Sequence, residues 1–269
     1  MNEDLLMELS DCGSPEGLAQ IIHRYIPLKE DGHTDLLAVA KAVGIKEIKP
    51  TDTPAYEGLL ITDTVKSKGV ILYNQNSPTP RKRFTVAHEL GHFLLPFHDK
   101  NAQCASSDLR AIKSNSPNQT KEAEANRFAI ELLAPKEQVR TVLKPHRTPD
   151  IMHILDLHKR FKISKEAAAR RFIECSDHSV AIIFGKAQSV RYTLKVEEFP
   201  YLSFKKGELC PDHIYEQVKN MEVDHVTEWY CVDPHYFLSN TDDAEDMDLF
   251  CQTAIQKKGF HISLLSFDE

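Results

Sequence analysis

The chain has 269 residues, which is enough for one large domain or two smaller ones. Its hydrophobic share of 41% allows a sizeable core. The formal net charge of −7 argues against a chain that coats nucleic acid along its whole length.

The sequence shows neither a secretory signal nor a membrane helix. The acidic first residues lack the apolar run of a secretory signal, and no stretch approaches the roughly 18 apolar residues of a membrane helix. The six cysteines form no CxxC pair and no disulfide framework, which is typical of reduced thiols. We therefore expect a cytoplasmic protein without a membrane segment.

The N-terminal third predicts helices followed by a β-hairpin. Ser14, followed by a proline, is a typical helix start, and apolar residues at helical spacing come after it. A second helix is predicted over 35–43, with Gly44 ending it. Two segments rich in branched and aromatic residues, 56–62 and 68–74, predict the hairpin.

The central part predicts two long helices joined by a loop. The first covers 81–95, with Thr79 as its candidate N-cap, and the second covers 121–134. Each ends before a proline, which cannot continue a helix. The polar segment 97–119 between them predicts a long loop.

The C-terminal part predicts a helix pair followed by a mixed region. The helices 151–161 and 165–174 are joined by a tight turn, with Ser164 as N-cap of the second. Further elements are a short helix at 212–220 and strands at 180–185, 190–194, 225–232, 247–255 and 260–267.

These elements predict an α+β fold in three parts. Residues 1–145 form a domain with a small twisted sheet packed against the two long helices. Residues 146–175 form a helix-turn-helix-like hairpin, and residues 176–269 form a mixed α+β domain.

The strongest chemical signal is the sequence HELGH, from His88 to His92, inside the first long helix. Residues four apart share one helix face, so both imidazoles can bind one tetrahedral Zn²⁺. Glu89 can take a proton from the attacking water and deliver one to the leaving amine. Apolar residues flank the motif, and a buried helix with these side chains needs a partner such as a metal. The pattern predicts a zinc metallopeptidase of zincin type, and other divalent metals such as Mn²⁺ suit the same donors.

A catalytic zinc site needs a third protein ligand, and three residues compete for this role. His98 completes the spacing HExxHxxxxxH, but the glycine that this pattern uses for a turn is replaced by Leu95. Glu122 begins an ExxAN arrangement in which Asn126, one turn later, can accept a hydrogen bond from a ligating histidine. Glu124 is offset from that face. We favour Glu122, which leaves His98 as a surface histidine.

The residues that contact the substrate are less clearly marked. The strand 69–74, with Val70 and Leu72, is a candidate edge on which a substrate strand adds, and an ordinary core strand explains it equally well. Cys104, in the loop between the two metal helices, could place a thiolate in the open metal position as an inhibitory ligand, an interpretation that we favour less. Candidate donors to the oxyanion of the reaction are Tyr73, His98, Tyr192, Tyr201 and His213.

The stretch RKRFTVAHELGHFLL, followed by EAEANRFAIELLAP, resembles the ImmA/IrrE metallopeptidases, and the likeness covers residues 34–135. The resemblance implies zinc ligands His88, His92 and Glu122, Glu89 as the base, and a cytoplasmic regulatory role. Members of the family cleave helix-turn-helix repressors in stress, mobile-element or toxin–antitoxin control. The resemblance therefore implies such a repressor as the substrate, and a GAF-like sensor as the counterpart of the C-terminal domain.

The helix pair 151–174 is similar to a small helix-turn-helix-like segment of some family members. It carries a basic cluster that could contact phosphates: His158, Lys159, Arg160, Lys162, Lys165, Arg170 and Arg171. We favour a solvated face of a packing unit over a DNA contact. The alternative function is a non-proteolytic, zinc-containing regulator that sequesters a repressor or binds DNA through this pair.

Overall fold

The structure, a computed structural model, describes residues 3–98, 101–105, 108–110, 117–209, 214, 219, 222–240 and 247–267. The chain divides into two units, one of residues 1–138 and 158–167 and the other of residues 139–157 and 168–269. Each unit contains its own sheet, and helices accompany both, so the predicted α+β class is confirmed. The three-part domain boundaries stay a prediction.

Three short helices open the first unit: α1 (Glu3–Ser10), α2 (Pro15–Tyr25) and α3 (Leu36–Val43). Ser14 caps α2, since its side chain accepts a hydrogen bond from the N–H of Gly17 at 3.1 Å. Gly44 ends α3 in the left-handed region, with a φ of 108°, which a residue without Cβ adopts at little cost. Both ends agree with the sequence signals, whereas α1 was not predicted.

A four-stranded sheet follows, made of β1 (Ile45–Thr51), β2 (Gly58–Thr62), β3 (Gly69–Asn74) and β4 (Asn101–Cys104). Its order is β1-β3-β2-β4. β2 and β3 form the predicted antiparallel hairpin, and β1 joins β3 in parallel. β4 adds antiparallel to the other side of β2, within the segment that was predicted to be a loop.

The strand order corrects the prediction of a substrate-binding edge. Val70 and Leu72 lie on β3, which is hydrogen-bonded to β1 on one side and to β2 on the other. An added strand needs a row of unpaired N–H and C=O groups, which an interior strand does not offer. β3 is therefore a core strand, the alternative that the sequence had left open.

The two long helices of the first unit are α4 (Thr79–Leu94) and α5 (Pro117–Leu133), and α6 (Lys136–Leu143) follows them. Pro78 rather than Thr79 takes the N-cap position of α4, without a side-chain hydrogen bond. Gly91 lets the long helices approach closely, because a Cβ there would lie 3.0 Å from Phe128 Cδ1 and 3.2 Å from Ala125 Cα. This close approach brings one face of α5 against the HELGH segment.

Lys66 holds the C-terminal end of α4. Its ammonium group donates hydrogen bonds to the carbonyls of His92 at 2.6 Å and Leu95 at 3.0 Å, where the helix dipole favours a cation. We expect Lys66→Met to lower the free energy of unfolding by about 1–2 kcal/mol. Thermal unfolding measures this loss, with Lys68→Met as the exposed control. An equal loss in both variants contradicts the capping role.

The helix pair and a five-stranded sheet form the rest of the chain. The elements are α7 (Ile151–Phe161), α8 (Lys165–Cys175), β5 (Val180–Lys186), β6 (Ser189–Lys195), β7 (Tyr230–Val232), α9 (Pro234–Phe237), β8 (Leu249–Ile255) and β9 (Phe260–Phe267). The sheet order is β6-β5-β9-β8-β7, so the first and last strands pair in its centre. Phe199 and Phe237 lie in the core against one face of this sheet. The predicted helix 212–220 lies almost wholly outside the described residues.

The basic side chains of the helix pair do not share one solvated face. Ser164 caps α8 as predicted, with its hydroxyl 3.0 Å from the N–H of Ala167. Arg171, however, is 2% exposed and pairs with Glu174 at 2.7 Å. The expectation of a solvated face is therefore wrong for this arginine, since its guanidinium is buried. No helix in the described ranges is long and apolar enough to cross a membrane.

Candidate metal centre

Four buried side chains from three elements converge in the first unit. α4 supplies His88 and His92, α5 supplies Glu122, and the end of β4 supplies Cys104. One donor atom from each residue lies within 4.8 Å of the others. His88 Nε2 is 3.0 Å from His92 Nε2 and 3.1 Å from Glu122 Oε2, and His92 Nε2 is 3.5 Å from Glu122 Oε1. The three residues that the sequence pattern favours as ligands thus lie together.

These distances fit a tetrahedral ion. Metal–nitrogen bonds of about 2.0–2.1 Å place neighbouring ligand atoms about 3.3–3.4 Å apart. The observed separations of 3.0 and 3.1 Å around His88 Nε2, and of 3.5 Å between His92 Nε2 and the other carboxylate oxygen of Glu122, lie close to that value. Two imidazole nitrogens and a carboxylate oxygen are also donors that zinc accepts. The residues present therefore fit a divalent metal.

The environment of Glu89 is a second indication that a metal or its bound water lies in this site. Glu89 is fully buried, and neither carboxylate oxygen makes a well-formed hydrogen bond with the residues that the structure describes. Burial raises the pKa of Glu89 to about 8, although the Cys104 thiol, a weak donor, lies close enough to lower this pKa slightly. A buried carboxyl group without a partner is costly unless something binds beside it. Its position depends on Gly58 of β2, because a Cβ there would lie 2.2 Å from Glu89 Oε1.

Electrostatics keep the donors in states that bind metal. Burial raises the pKa of Glu122, but hydrogen bonds with His88 and His92 outweigh it and lower the pKa to about 2. Burial lowers the pKa of His92, which favours the neutral ring with a free lone pair. Burial, and then the charge of Glu89, raise the pKa of the Cys104 thiol. Without a cation this thiol stays protonated, whereas a bound metal would deprotonate it.

Asn126 orients His88. Its Oδ1 lies 2.8 Å from His88 Nδ1, and its Nδ2 donates to the carbonyl of Asp108 at 2.9 Å. Because the amide nitrogen is committed to that carbonyl, Oδ1 must accept from the ring, which leaves His88 Nε2 free for a metal. The structure thus places Asn126 where the ExxAN spacing predicted it.

His98 has a role that sequence reasoning missed. It is 6% exposed rather than a surface residue, because Phe97 adopts a φ of 64° and turns the chain back after the helix. His98 Nδ1 lies 3.0 Å from His92 Nδ1, and its Nε2 lies 3.1 Å from Glu124 Oε2. His98 and Glu124, the two less favoured ligand candidates, therefore form a hydrogen-bonded chain that ends on His92. Leu95, the expected turn position, stays extended with a φ of −67°.

We expect His98→Ala to weaken metal binding by about 10–100-fold, since partners of this kind fix the tautomer and direction of a ligating histidine. Competition with a chromophoric chelator measures the affinity. His33→Ala is the control, because His33 pairs with Asp31 in the same unit and is absent from the metal cluster. Unchanged affinity in His98→Ala contradicts the orienting role.

The structure distinguishes the candidate oxyanion donors by where it places each of them. His98 uses both ring nitrogens in its hydrogen bonds with His92 and Glu124. Tyr192 and Tyr201 belong to the other unit, where Tyr192 stacks on Phe184 and Tyr201 is 76% exposed. His213 lies outside the described residues. Tyr73, which pairs with Gly58 across β2 and β3, is the candidate that lies in the sheet beside the site.

A helix bearing HExxH, a second helix that adds a carboxylate and a small sheet beside them define a zincin-like metallopeptidase domain. Residues 40–172 match the family model of the IrrE N-terminal-like domain, a peptidase family, which confirms the resemblance to the ImmA/IrrE metallopeptidases. A Mycobacterium tuberculosis transcriptional regulator has a similar structure, with a TM-score of 0.56. The likeness covers 98% of this chain and 92% of that chain at 11% sequence identity, so it shows the fold alone. The comparison with curated proteins gives no match.

Proposed function

We propose that this protein is a zinc-dependent endopeptidase that cleaves a cytoplasmic helix-turn-helix repressor and so relieves repression. One observation carries the enzymatic part of this proposal. Glu89, buried and without a well-formed hydrogen bond in the described residues, lies beside the cluster of His88, His92 and Glu122. A purely structural metal site has no use for such a carboxyl group.

The roles of the residues follow from their positions. His88, His92 and Glu122 would hold the metal, and a bound zinc polarises the scissile carbonyl and activates water. Glu89 accepts the proton of the attacking water and passes it to the leaving amine. Burial makes its carboxylate a stronger base than an exposed one. Asn126 and His98 keep the two imidazoles aimed at the centre.

The substrate class is supported by resemblance. The match to the IrrE N-terminal-like domain supports the resemblance to the ImmA/IrrE metallopeptidases, whose members cleave repressors in stress, mobile-element or toxin–antitoxin control. The structurally similar mycobacterial protein is described as a transcriptional regulator. The second unit, with its separate sheet and core, suits a sensor-like domain that responds to a signal. On this proposal the protein acts in the cytoplasm, where repressors bind DNA.

A comparison of new protein N-termini in host cells tests the proposal. Cells express the wild type or Glu89→Gln, with and without stress. A terminus seen only with the wild type, inside a helix-turn-helix protein, identifies the substrate and the bond. Abundant new termini in other classes of protein contradict the repressor as substrate. No difference under any condition favours the regulator described next.

The second candidate is a non-proteolytic regulator with a structural zinc site. The specific observation in its favour is Cys104, which gives the cluster four protein donors, as closed structural sites have. Such a protein would sequester a repressor or bind DNA through residues 151–174. The burial of Arg171 and its pairing with Glu174 weaken the DNA version. Salt-sensitive binding of the purified chain to duplex DNA would support a regulator that binds DNA.

A further inference from the structure

Cys104 reaches the metal centre from β4, a strand that the sequence did not predict. Its Sγ lies 3.2 Å from His88 Nε2, 3.8 Å from His92 Nε2 and 4.0 Å from Glu122 Oε2. In a tetrahedron, sulfur bound at about 2.3 Å and nitrogen bound at about 2.0–2.1 Å lie about 3.5–3.6 Å apart. The measured distances scatter around these values, so the fully buried thiol lies where a fourth ligand of the metal would be.

The backbone of β4 sets this position. Cys104 pairs with Gly58 of β2, and its carbonyl accepts a hydrogen bond from the N–H of Glu57 at 2.9 Å. Glu89 lies against the same Gly58, in space that a Cβ would take. The thiol and the proposed catalytic carboxylate thus meet at one point of β2.

The same strand covers the sheet edge beside the site. Extended peptides bind proteins by adding a strand to an exposed sheet edge through main-chain hydrogen bonds. The outer edge of β2 is taken by β4, from the pair Gly58–Cys104 to the pair Ile61–Asn101. A catalytic zinc site also needs one open position, which Cys104 fills. One four-residue segment therefore occupies both the outer edge of β2 and the fourth position at the metal centre.

We propose that β4 is a built-in substrate mimic, with Cys104 as the removable fourth metal ligand of the resting protein. An extended segment of a protein substrate replaces β4 on β2 after Cys104 leaves the metal. The step would be a ligand exchange in which Cys104 Sγ leaves the metal and a water molecule takes its position; the thiolate would take a proton from solvent, and no electron would be transferred. This inference rests on the proposed peptidase function and explains how four protein donors are compatible with it.

X-ray absorption on the zinc-loaded full chain tests the ligand directly. We expect one sulfur at about 2.3 Å from zinc in the wild type, and only nitrogen and oxygen neighbours in Cys104→Ala, with one zinc per chain retained. Cys175→Ala, which removes a buried cysteine of the other unit, keeps the sulfur signal. A wild-type spectrum without sulfur overturns the proposal, and this measurement does not depend on any variant folding.

Zinc content and ligand access test whether the cysteine is removable. If Cys104→Ala and Cys104→Ser both lose zinc, the cysteine is a structural ligand and the proposal fails. Acetohydroxamate, which binds an open zinc position, is expected to bind Cys104→Ala about tenfold or more tightly than wild type, because the wild type must first release its thiolate. Equal affinity contradicts the blocking role.

Cleavage of a mixed peptide library separates this inference from the proposed function. Faster cleavage by Cys104→Ala than by wild type supports both. If the spectra and the hydroxamate affinities change as expected but neither protein cleaves any peptide, the removable ligand stands and the peptidase proposal fails.

Discussion

Replacing Glu89 by glutamine is expected to abolish most peptide cleavage while the metal stays bound. Glutamine has almost the same shape but cannot accept the proton of the attacking water, and loss of a positioned general base typically costs about 10²–10⁴-fold in rate. Metal binding is retained because Glu89 is outside the donor cluster of His88, His92, Cys104 and Glu122. Cleavage of a mixed-sequence peptide library and zinc content per chain measure the two effects.

The folded state should tolerate this change. Glu89 is fully buried, makes no ion pair among the described residues, and is held mostly neutral near pH 7 by burial, so a neutral amide of nearly the same shape breaks no strong interaction. Glu131→Gln is the matched control, since Glu131 is also buried on a helix of the same unit but accepts a hydrogen bond from the N–H of Lys136. Cleavage at the wild-type rate by Glu89→Gln would exclude Glu89 as the base.

The parts of the fold and site that depend on local patterns could be predicted from the sequence. Helix starts and stops at Ser14 and Gly44 follow from side-chain capping and from the conformational freedom of glycine, which act within a few residues. Helical periodicity places His88 and His92 on one face of α4. It also places Glu122 and Asn126 on one face of α5, so each helix's share of the site could be predicted locally. Asn126 lies where that same periodicity placed it.

The remaining features depend on contacts between distant parts of the chain. β4 has four residues in a polar segment, and its partner β2 begins more than 40 residues earlier, so no periodicity marks it. The orienting role of His98 depends on the positive φ of Phe97, a conformation that few residues other than glycine adopt and that sequence rules do not expect there. Glu124 could not be recognised as its partner before that turn was known.

Gly58→Ala is expected to reduce cleavage by about 10²-fold or more without loss of metal. A Cβ at this position would lie 2.2 Å from Glu89 Oε1 and 2.6 Å from Thr85 Cγ2, distances at which something must move. Thr85 is buried on α4, so the free end of Glu89 is the part that shifts. A displacement of about 1 Å at a reacting group is enough to cost about 10²-fold in rate.

The control for this prediction is another glycine of the same unit. Gly13→Ala adds a Cβ whose nearest atom outside the flanking residues is Pro96 Cγ at 3.8 Å, an ordinary van der Waals contact, so its cleavage rate should equal that of the wild type. Zinc content should stay at one per chain in both variants, because neither change touches a donor. If Gly58→Ala cleaved peptides at the wild-type rate, the close contact between β2 and Glu89 would not position the base. If Gly58→Ala lost zinc as well as activity, the role of Gly58 would be to let β2 pack against α4 and so support all the metal ligands. It would then not act on the Glu89 carboxylate alone.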